Sequence, residues 1–250
     1  MDSTRSSIMD TSSVKVLVFE TPEKVAEAMA QDILALAIKA VQERGRFTIA
    51  LSGGHTPKLL FQQLAQEPLR SQMPWEQVWI FWGDERCVPK DHPDSNYRLA
   101  EELLLTKVPV RSTHVFRMRG EEPPPQAARD YEDELKRLWP QNPWPAFDLT
   151  LLGLGMDGHV ASLIPGSPAL LEEGNRWVVG NVIRSLQTVR ITLTLPSINH
   201  SRAVWFLVTG SKKKEILSRI LSESDASYPA SLVRPETGEL RWYIDQSAAS

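Results

Sequence analysis

FTIALSGGHTPKLLFQQLA, residues 47–65, runs from a strand into a helix through a glycine turn. Phe47–Leu51 is a short, mostly apolar run with the composition of a buried strand. Ser52-Gly53-Gly54 forms the turn. Pro57 stands at the first helical position, where a missing N–H costs nothing. Residues 59–65 then read as helix. Upstream, VKVLVF (14–19) is a β-branched apolar run, and TPEKVAEAMAQDILALAIKAVQERG reads as a long helix. Thr21 suits its N-cap, Pro22 its first turn and Gly45 its stop. Val25, Met29, Ile33, Leu36, Ala40 and Val41 share one face at helical spacing.

The alternation continues downstream. VWIFW (78–82) reads as a strand and SNYRLAEELLL (95–105) as a helix capped by Ser95. PPPQAARDYEDELKRLW opens on prolines and becomes a helix; PQNPWPA is a loop. FDLTLLGLG (147–155), RWVVGNVI (176–183), VRITLTL (189–195), AVWFLVTG (203–210) and ELRWYID (239–245) read as strands, with SKKKEILSRIL as a helix. Strands alternating with helices predict an α/β fold. Its mainly parallel, Rossmann-like sheet carries helices on both faces. Such sheets bind ligands beyond the carboxyl ends of their strands. The turns after residues 51, 82, 154 and 209 are therefore the places for chemistry.

Composition agrees. The chain has 250 residues, 42% hydrophobic and 24% charged, ordinary for a globular protein and unlike disordered, collagen-like or coiled-coil sequences. No apolar run approaches the roughly 18 residues of a membrane helix. A net charge of −3 offers no general attraction to nucleic acid. Cys87 is the single cysteine, which excludes an internal disulfide and a cysteine zinc cluster. No histidine pair has metal-ligand spacing. Residues 1–13 lack the apolar stretch of a secretory signal and are expected to be a flexible tail ahead of one domain over 14–250. The expected location is the cytoplasm.

Four strand-end loops carry candidate chemistry. In Ser52-Gly53-Gly54-His55-Thr56-Pro57, adjacent glycines free backbone N–H groups, and the helix start adds positive character. That combination suits an anion such as phosphate, with Ser52 and Thr56 as hydroxyl donors. A plain tight turn with a capping Thr56 fits equally well. In Gly83-Asp84-Glu85-Arg86-Cys87, the charges alone read as a solvated corner, although Arg86 suits a fork on phosphate or carboxylate. Cys87 reads as a buried small side chain. In Gly153-Leu154-Gly155-Met156-Asp157-Gly158-His159, three glycines surround an Asp-x-His after an apolar strand. A free imidazole titrates near about 6.5, so His159 can accept a proton, with Asp157 orienting it. His55, His92, His114 and His200 read as structural. In Thr209-Gly210-Ser211-Lys212-Lys213-Lys214, lysines open a helix, as a solvated first turn or with one lysine reaching in to an anion.

LSGGHTP, DERCVPKDHPDSNYRLA, LLGLGMDGHVASLIPGSPAL, RITLTLPSINHSRAVWFLVTG and YPASLV…WYIDQSAA, in this order, resemble the 6-phosphogluconolactonase family, within the glucosamine-6-phosphate isomerase/lactonase superfamily. The resemblance covers residues 14–249. It implies a NagB/RpiA-like three-layer architecture and hydrolysis of 6-phospho-D-glucono-1,5-lactone to 6-phosphogluconate in the oxidative pentose phosphate pathway, without a cofactor or metal. By the same resemblance Ser52, Gly53, Gly54 and Thr56 hold the phosphate, and Arg86 meets anionic or polar groups of the substrate. His159 is the general base, Lys213 is the reaching lysine, and Arg202 lies near the phosphate. Met156, Val160 and Ile164 depart from the family's usual Pro, Thr and Phe. The implied partner is a small sugar-phosphate lactone, with no nucleic acid or membrane and a monomer or weak homo-oligomer. Two alternatives stand beside this. A glucosamine-6-phosphate deaminase would carry Glu where this chain has Ile164, and DEY where it has Asp84-Glu85-Arg86. A non-catalytic sugar-phosphate sensor attached to a DNA reader would need a helix-turn-helix, for which the α/β pattern leaves no room.

Overall fold

The computed structural model describes residues 10–11, 14–54, 56–171, 174–183, 187–223, 225 and 227–249. Its strands are β1 (Asp10–Thr11), β2 (Val14–Phe19), β3 (Phe47–Leu51), β4 (Val78–Trp82) and β5 (Asp84–Arg86), followed by β6 (Leu149–Leu152), β7 (Val178–Ile183), β8 (Thr188–Leu193), β9 (Ala203–Val208) and β10 (Glu239–Asp245). Its helices are α1 (Pro22–Arg44), α2 (Pro57–Leu64), α3 (Leu69–Gln72), α4 (Asn96–Ala100), α5 (Pro124–Leu138), α6 (Leu195–Asn199), α7 (Lys214–Glu223) and α8 (Gln246–Ala249). None of the described helices is long and apolar enough to cross a membrane.

The main sheet runs β1-β2-β10-β9-β6-β3-β4. Every neighbouring pair is parallel except β1–β2. Successive side chains on a strand alternate between the two faces. On β9, Trp205 and Leu207 join Ile49, Leu51, Leu149 and Tyr243 in a core with α1 and α2. Val204, Phe206 and Val208 join Phe81, Leu152, Trp242 and Ile244 in a second core with α5 and α7. The expected three-layer arrangement is therefore present.

Helix α1 shows how local chemistry sets an element. Thr21 caps it by accepting from the Lys24 N–H at 3.3 Å. Gly45 closes it in the left-handed region at φ 72°, donating to the Val41 carbonyl at 2.8 Å. Val25, Met29, Ile33, Ala37 and Ala40 are buried, and each large one contributes about 1.5–3 kcal/mol by leaving water. Leu36 and Val41 of the expected stripe lie at its half-buried margin.

Three details differ from the sequence reading. Asp10–Thr11, placed in the tail, pairs antiparallel with β2; residues 1–9 and 12–13 lie outside the described residues. The segments read as two further strands, β7 and β8, do not enter the parallel sheet. They pair antiparallel with each other and with β5 in a separate sheet. Only residues 184–187 separate them, and a parallel return needs a dozen or more. Asp84–Arg86, read as a strand-end loop, is itself the short strand β5. Gly83 joins the two sheets, donating to the Leu51 carbonyl at 2.9 Å and accepting from the Leu193 N–H at 2.8 Å.

The chain leaves β3 through α2 toward β4 on one side and passes from β6 to β9 on the other. Loops diverging from two adjacent parallel strands open a crevice between them.

Candidate active site

That crevice is a cavity of about 1020 Å³. It is lined by Ser52, Gly53, Gly54 and Thr56 after β3, Asp84 and Arg86 on β5, Gly153–Asp157 and His159 after β6, Arg190 on β8, and Thr209–Lys213 after β9. The imidazole and the glycine turn thus open into one space. Their loops are neighbours at Gly153, where a Cβ would lie in ordinary contact with Ser52 Oγ, at 3.8 Å. His55 lies outside the described residues.

The loop after β6 folds back on itself. The Gly155 N–H donates to the His159 carbonyl at 2.9 Å, and the Gly158 N–H donates to the Gly155 carbonyl at 3.2 Å. This sets His159 Nδ1 2.6 Å from Asp157 Oδ1. The bond from His159 holds the Asp157 carboxyl at about 2, overcoming the opposing effect of burial. At neutral pH the aspartate is therefore an acceptor, and Nδ1 carries the imidazole proton. The Nε2 lone pair is left as the basic site. Gly155 is required by close approach, because a Cβ there would stand 2.1 Å from His159 Nδ1.

Arg86 and Arg190 are directly opposed on β5 and β8. Both Nε atoms are buried without a hydrogen-bond partner among the described residues. Arg86 Nη1 donates to the Asp94 carbonyl. Burial lowers the pKa of Arg190 from its ordinary value, and the nearby Asp84 carboxylate opposes that shift. Like charges set across a strand pair repel each other, and buried N–H groups without partners are costly. Both costs fall when an anion lies between the guanidinium groups.

The neighbouring acids have structural duties. Glu85 is buried and accepts from the backbone N–H groups of Asn96 at 2.7 Å and Tyr97 at 2.8 Å, and from Ser95 Oγ at 3.1 Å, which holds α4. Burial raises its pKa against these bonds. Asp84 accepts from Ser162 Oγ at 2.6 Å, and its carbonyl accepts from Asn96 Nδ2 at 2.9 Å. Asn96 in turn sits against Gly53, where a Cβ would meet its Oδ1 at 1.8 Å. The β5 strand therefore links the two glycine loops. Thr56 precedes α2 without a side-chain capping bond, which removes the simple capping explanation for that hydroxyl.

Lys213 Nζ donates to the Leu154 carbonyl at 2.6 Å, under the loop that carries His159. Burial lowers its pKa, and Asp157 works against that shift. Lys214 is not part of the cavity lining, while Lys212 is. Cys87 is half-buried, and burial pushes its thiol up to about 11, far from a reactive thiolate. Among the described residues no group of three or more His, Cys, Asp or Glu could hold a metal.

Arg202 is a correction. It immediately precedes β9 and so lies at the amino end of the sheet, where it lines a different cavity with Arg44 and Asp148. In a parallel sheet the amino ends face away from the carboxyl-end crevice, so this side chain does not meet a ligand there. The second arginine the structure puts in the crevice, beside Arg86, is Arg190, which sequence reasoning missed. Its signal was a lone charge inside the apolar segment VRITLTL.

Residues 20–242 match the family described as "Glucosamine-6-phosphate isomerases/6-phosphogluconolactonase". A 6-phosphogluconolactonase of Synechocystis sp. is 46% identical over 215 residues, covering 84% of this chain and 86% of that protein. A probable 6-phosphogluconolactonase 2 of Oryza sativa subsp. indica is 37% identical over 252 residues, covering 94% and 89%. The solved 6-phosphogluconolactonase from Trypanosoma cruzi superposes with a TM-score of 0.83 at 28% identity, covering 98% of this chain and 97% of that one.

Proposed function

The chain belongs to the glucosamine-6-phosphate isomerase/6-phosphogluconolactonase family, it hydrolyses 6-phospho-D-glucono-1,5-lactone to 6-phosphogluconate, and we propose that His159 is the base driving that reaction. The observation that carries the assignment is the shared cavity. The oriented imidazole and the opposed arginines Arg86 and Arg190 line one space with the 52–56 turn.

A δ-lactone is an activated ester, so the enzyme's work is positioning, deprotonation and charge stabilisation. The phosphate sits at Ser52, Gly53, Gly54 and Thr56, with Arg190 and Lys213 adding positive charge. Tethering it there holds the ring against the imidazole and lowers the entropic barrier. His159 Nε2 takes a proton as water attacks C1, and Asp157 stabilises the imidazolium. Arg86 and the backbone N–H groups of the glycine loops are the donors on hand for the oxyanion. The C1–ring oxygen bond then breaks, and the imidazolium returns its proton to the departing oxygen. The product acid ionises.

The pH dependence follows from the pair. Asp157 is held at about 2, so it stays ionised at every higher pH, and its charge is lost only as pH falls through that value. A fall in rate at any pH well above that value therefore does not come from loss of the Asp157 charge. Asp157→Ala is expected to lower kcat about ten- to a hundredfold, the loss of one charge-assisted hydrogen bond. Steady-state kinetics of the variant at neutral pH reads the loss. Arg190→Ala is expected to raise KM about ten- to a hundredfold with kcat changed only a few-fold, checked by steady-state kinetics. A fall in kcat at unchanged KM would contradict the binding role.

Ile164 stands buried in the region where a deaminase would need a carboxylate, which speaks against glucosamine 6-phosphate as substrate. Turnover assays of 6-phosphogluconolactone and glucosamine 6-phosphate, run in parallel, test the choice. Acceleration of the lactone alone is expected; reaction of the amino sugar alone would overturn it, and binding without acceleration would indicate a sensor. We place the chain in the cytoplasm, where its free thiol stays reduced.

A further inference from the structure

Arg202 leads to a second cavity, of about 560 Å³, at the opposite end of the main sheet. Its wall includes Arg46, Gln77, Asp148 and Arg202, which immediately precede β3, β4, β6 and β9. It is separated from the catalytic crevice by the length of those strands, roughly 15 Å.

Four guanidinium groups line it, Arg44, Arg46, Arg111 and Arg202, against two carboxylates, Glu76 and Asp148. The wall therefore holds a surplus of positive charge in a chain whose net charge is −3. The carboxylates are already committed. Asp148 accepts from the Thr48 N–H and Oγ1, each at 2.8 Å, and from Arg44 Nε at 2.9 Å. Arg202 Nε also pairs with it, at 3.6 Å and without a hydrogen bond, which leaves its donors open. Glu76 accepts from Arg111 Nη2 at 3.0 Å. Arg46 forms no ion pair among the described residues. Its guanidinium lies 5.1 Å from the ring of Trp79 and 5.7 Å from that of Trp139, and its hydrogen bond to the Leu138 carbonyl is long, at 3.5 Å. Stacking on indoles orients the fork without using its donors. His114 stacks on Trp79 with ring centroids 4.6 Å apart, and its buried Nδ1 has no hydrogen-bond partner among the described residues.

We propose that this amino-end cavity is a second anion site, taking a small phosphate-bearing dianion between the guanidinium groups of Arg46 and Arg202. A dianion matches the surplus charge, and planar forks suit phosphate oxygens. The volume lies within the range of small-molecule sites. The proposal does not depend on the catalytic reading.

Equilibrium dialysis of the full chain with radiolabelled inorganic phosphate tests it. Two sites per chain are expected. The double variant Arg46→Ala/Arg202→Ala should lose one site, with affinity there falling at least about tenfold, while lactone turnover stays unchanged. The double variant Arg190→Ala/Lys213→Ala should lose the other. Because Arg46 packs on two indoles, Arg202→Gln is run alongside; its side chain is 53% exposed, and the same site should weaken. Competition by a simple phosphomonoester distinguishes an ester ligand from the free ion, and either result supports the site. A single phosphate site that vanishes with Arg190 and Lys213, or two sites indifferent to Arg46 and Arg202, would overturn it.

Discussion

Replacing His159 with alanine is expected to lower kcat for lactone hydrolysis by about 10²–10⁴-fold, the usual contribution of one general base, with the fold intact. The side chain belongs to the cavity wall and not to the core. It is 33% exposed, and its partner Asp157 is 51% exposed, so removing the ring leaves no buried charge behind. The δ-lactone opens unaided in water, so the variant must be measured as rate above the spontaneous background, by stopped-flow acid release from freshly made lactone. Substrate binding should survive, because the phosphate contacts lie on other loops. A variant within a few-fold of the parent rate would remove His159 from the chemistry.

Gly155→Ala is expected to cost nearly as much without touching a functional group. The added Cβ would stand 2.1 Å from His159 Nδ1 and 2.6 Å from Asp157 Oδ1. Nothing between them can give way except the imidazole–carboxylate pair itself. Displacing the ring by a fraction of its hydrogen-bond distance removes the orientation that makes Nε2 a useful base, and misplacements near 1 Å cost about 10²-fold. Thermal melting should change little, since the loop faces the cavity. The comparison that decides is between the two variants. If Gly155→Ala keeps parental kcat while His159→Ala loses it, the Asp157–His159 bond is dispensable for catalysis.

How far the sequence could be read varied with the kind of physics involved. Helix α1 was legible end to end because Thr21, Pro22 and Gly45 act locally, through bonds a few residues away. The Asp157-Gly158-His159 turn was legible for the same reason. Burial of Glu85 was not: a Glu between Asp and Arg looks solvated until α4 folds back and gives it three donors. Arg190 was hidden because its role comes from pairing with Arg86 across a side sheet that no local pattern announces. Arg202 could have been placed correctly. It precedes AVWFLVTG, and residues before a parallel strand lie at the end away from the crevice. Of the three departures from the family pattern, Val160 and Ile164 are buried, whereas Met156 is 58% exposed at the cavity rim. Met156 and Ile164 line the crevice, whereas Val160 belongs to the core behind it.

A crystal structure with 6-phosphogluconate bound is the most direct examination of all this. The account predicts the phosphate over Gly53 and Gly54 beside Arg190, and the C1 carboxylate within about 2.6–3.2 Å of His159 Nε2. A C1 group turned away from the imidazole, or a product molecule seated only among the arginines at the amino end of the sheet, would contradict it.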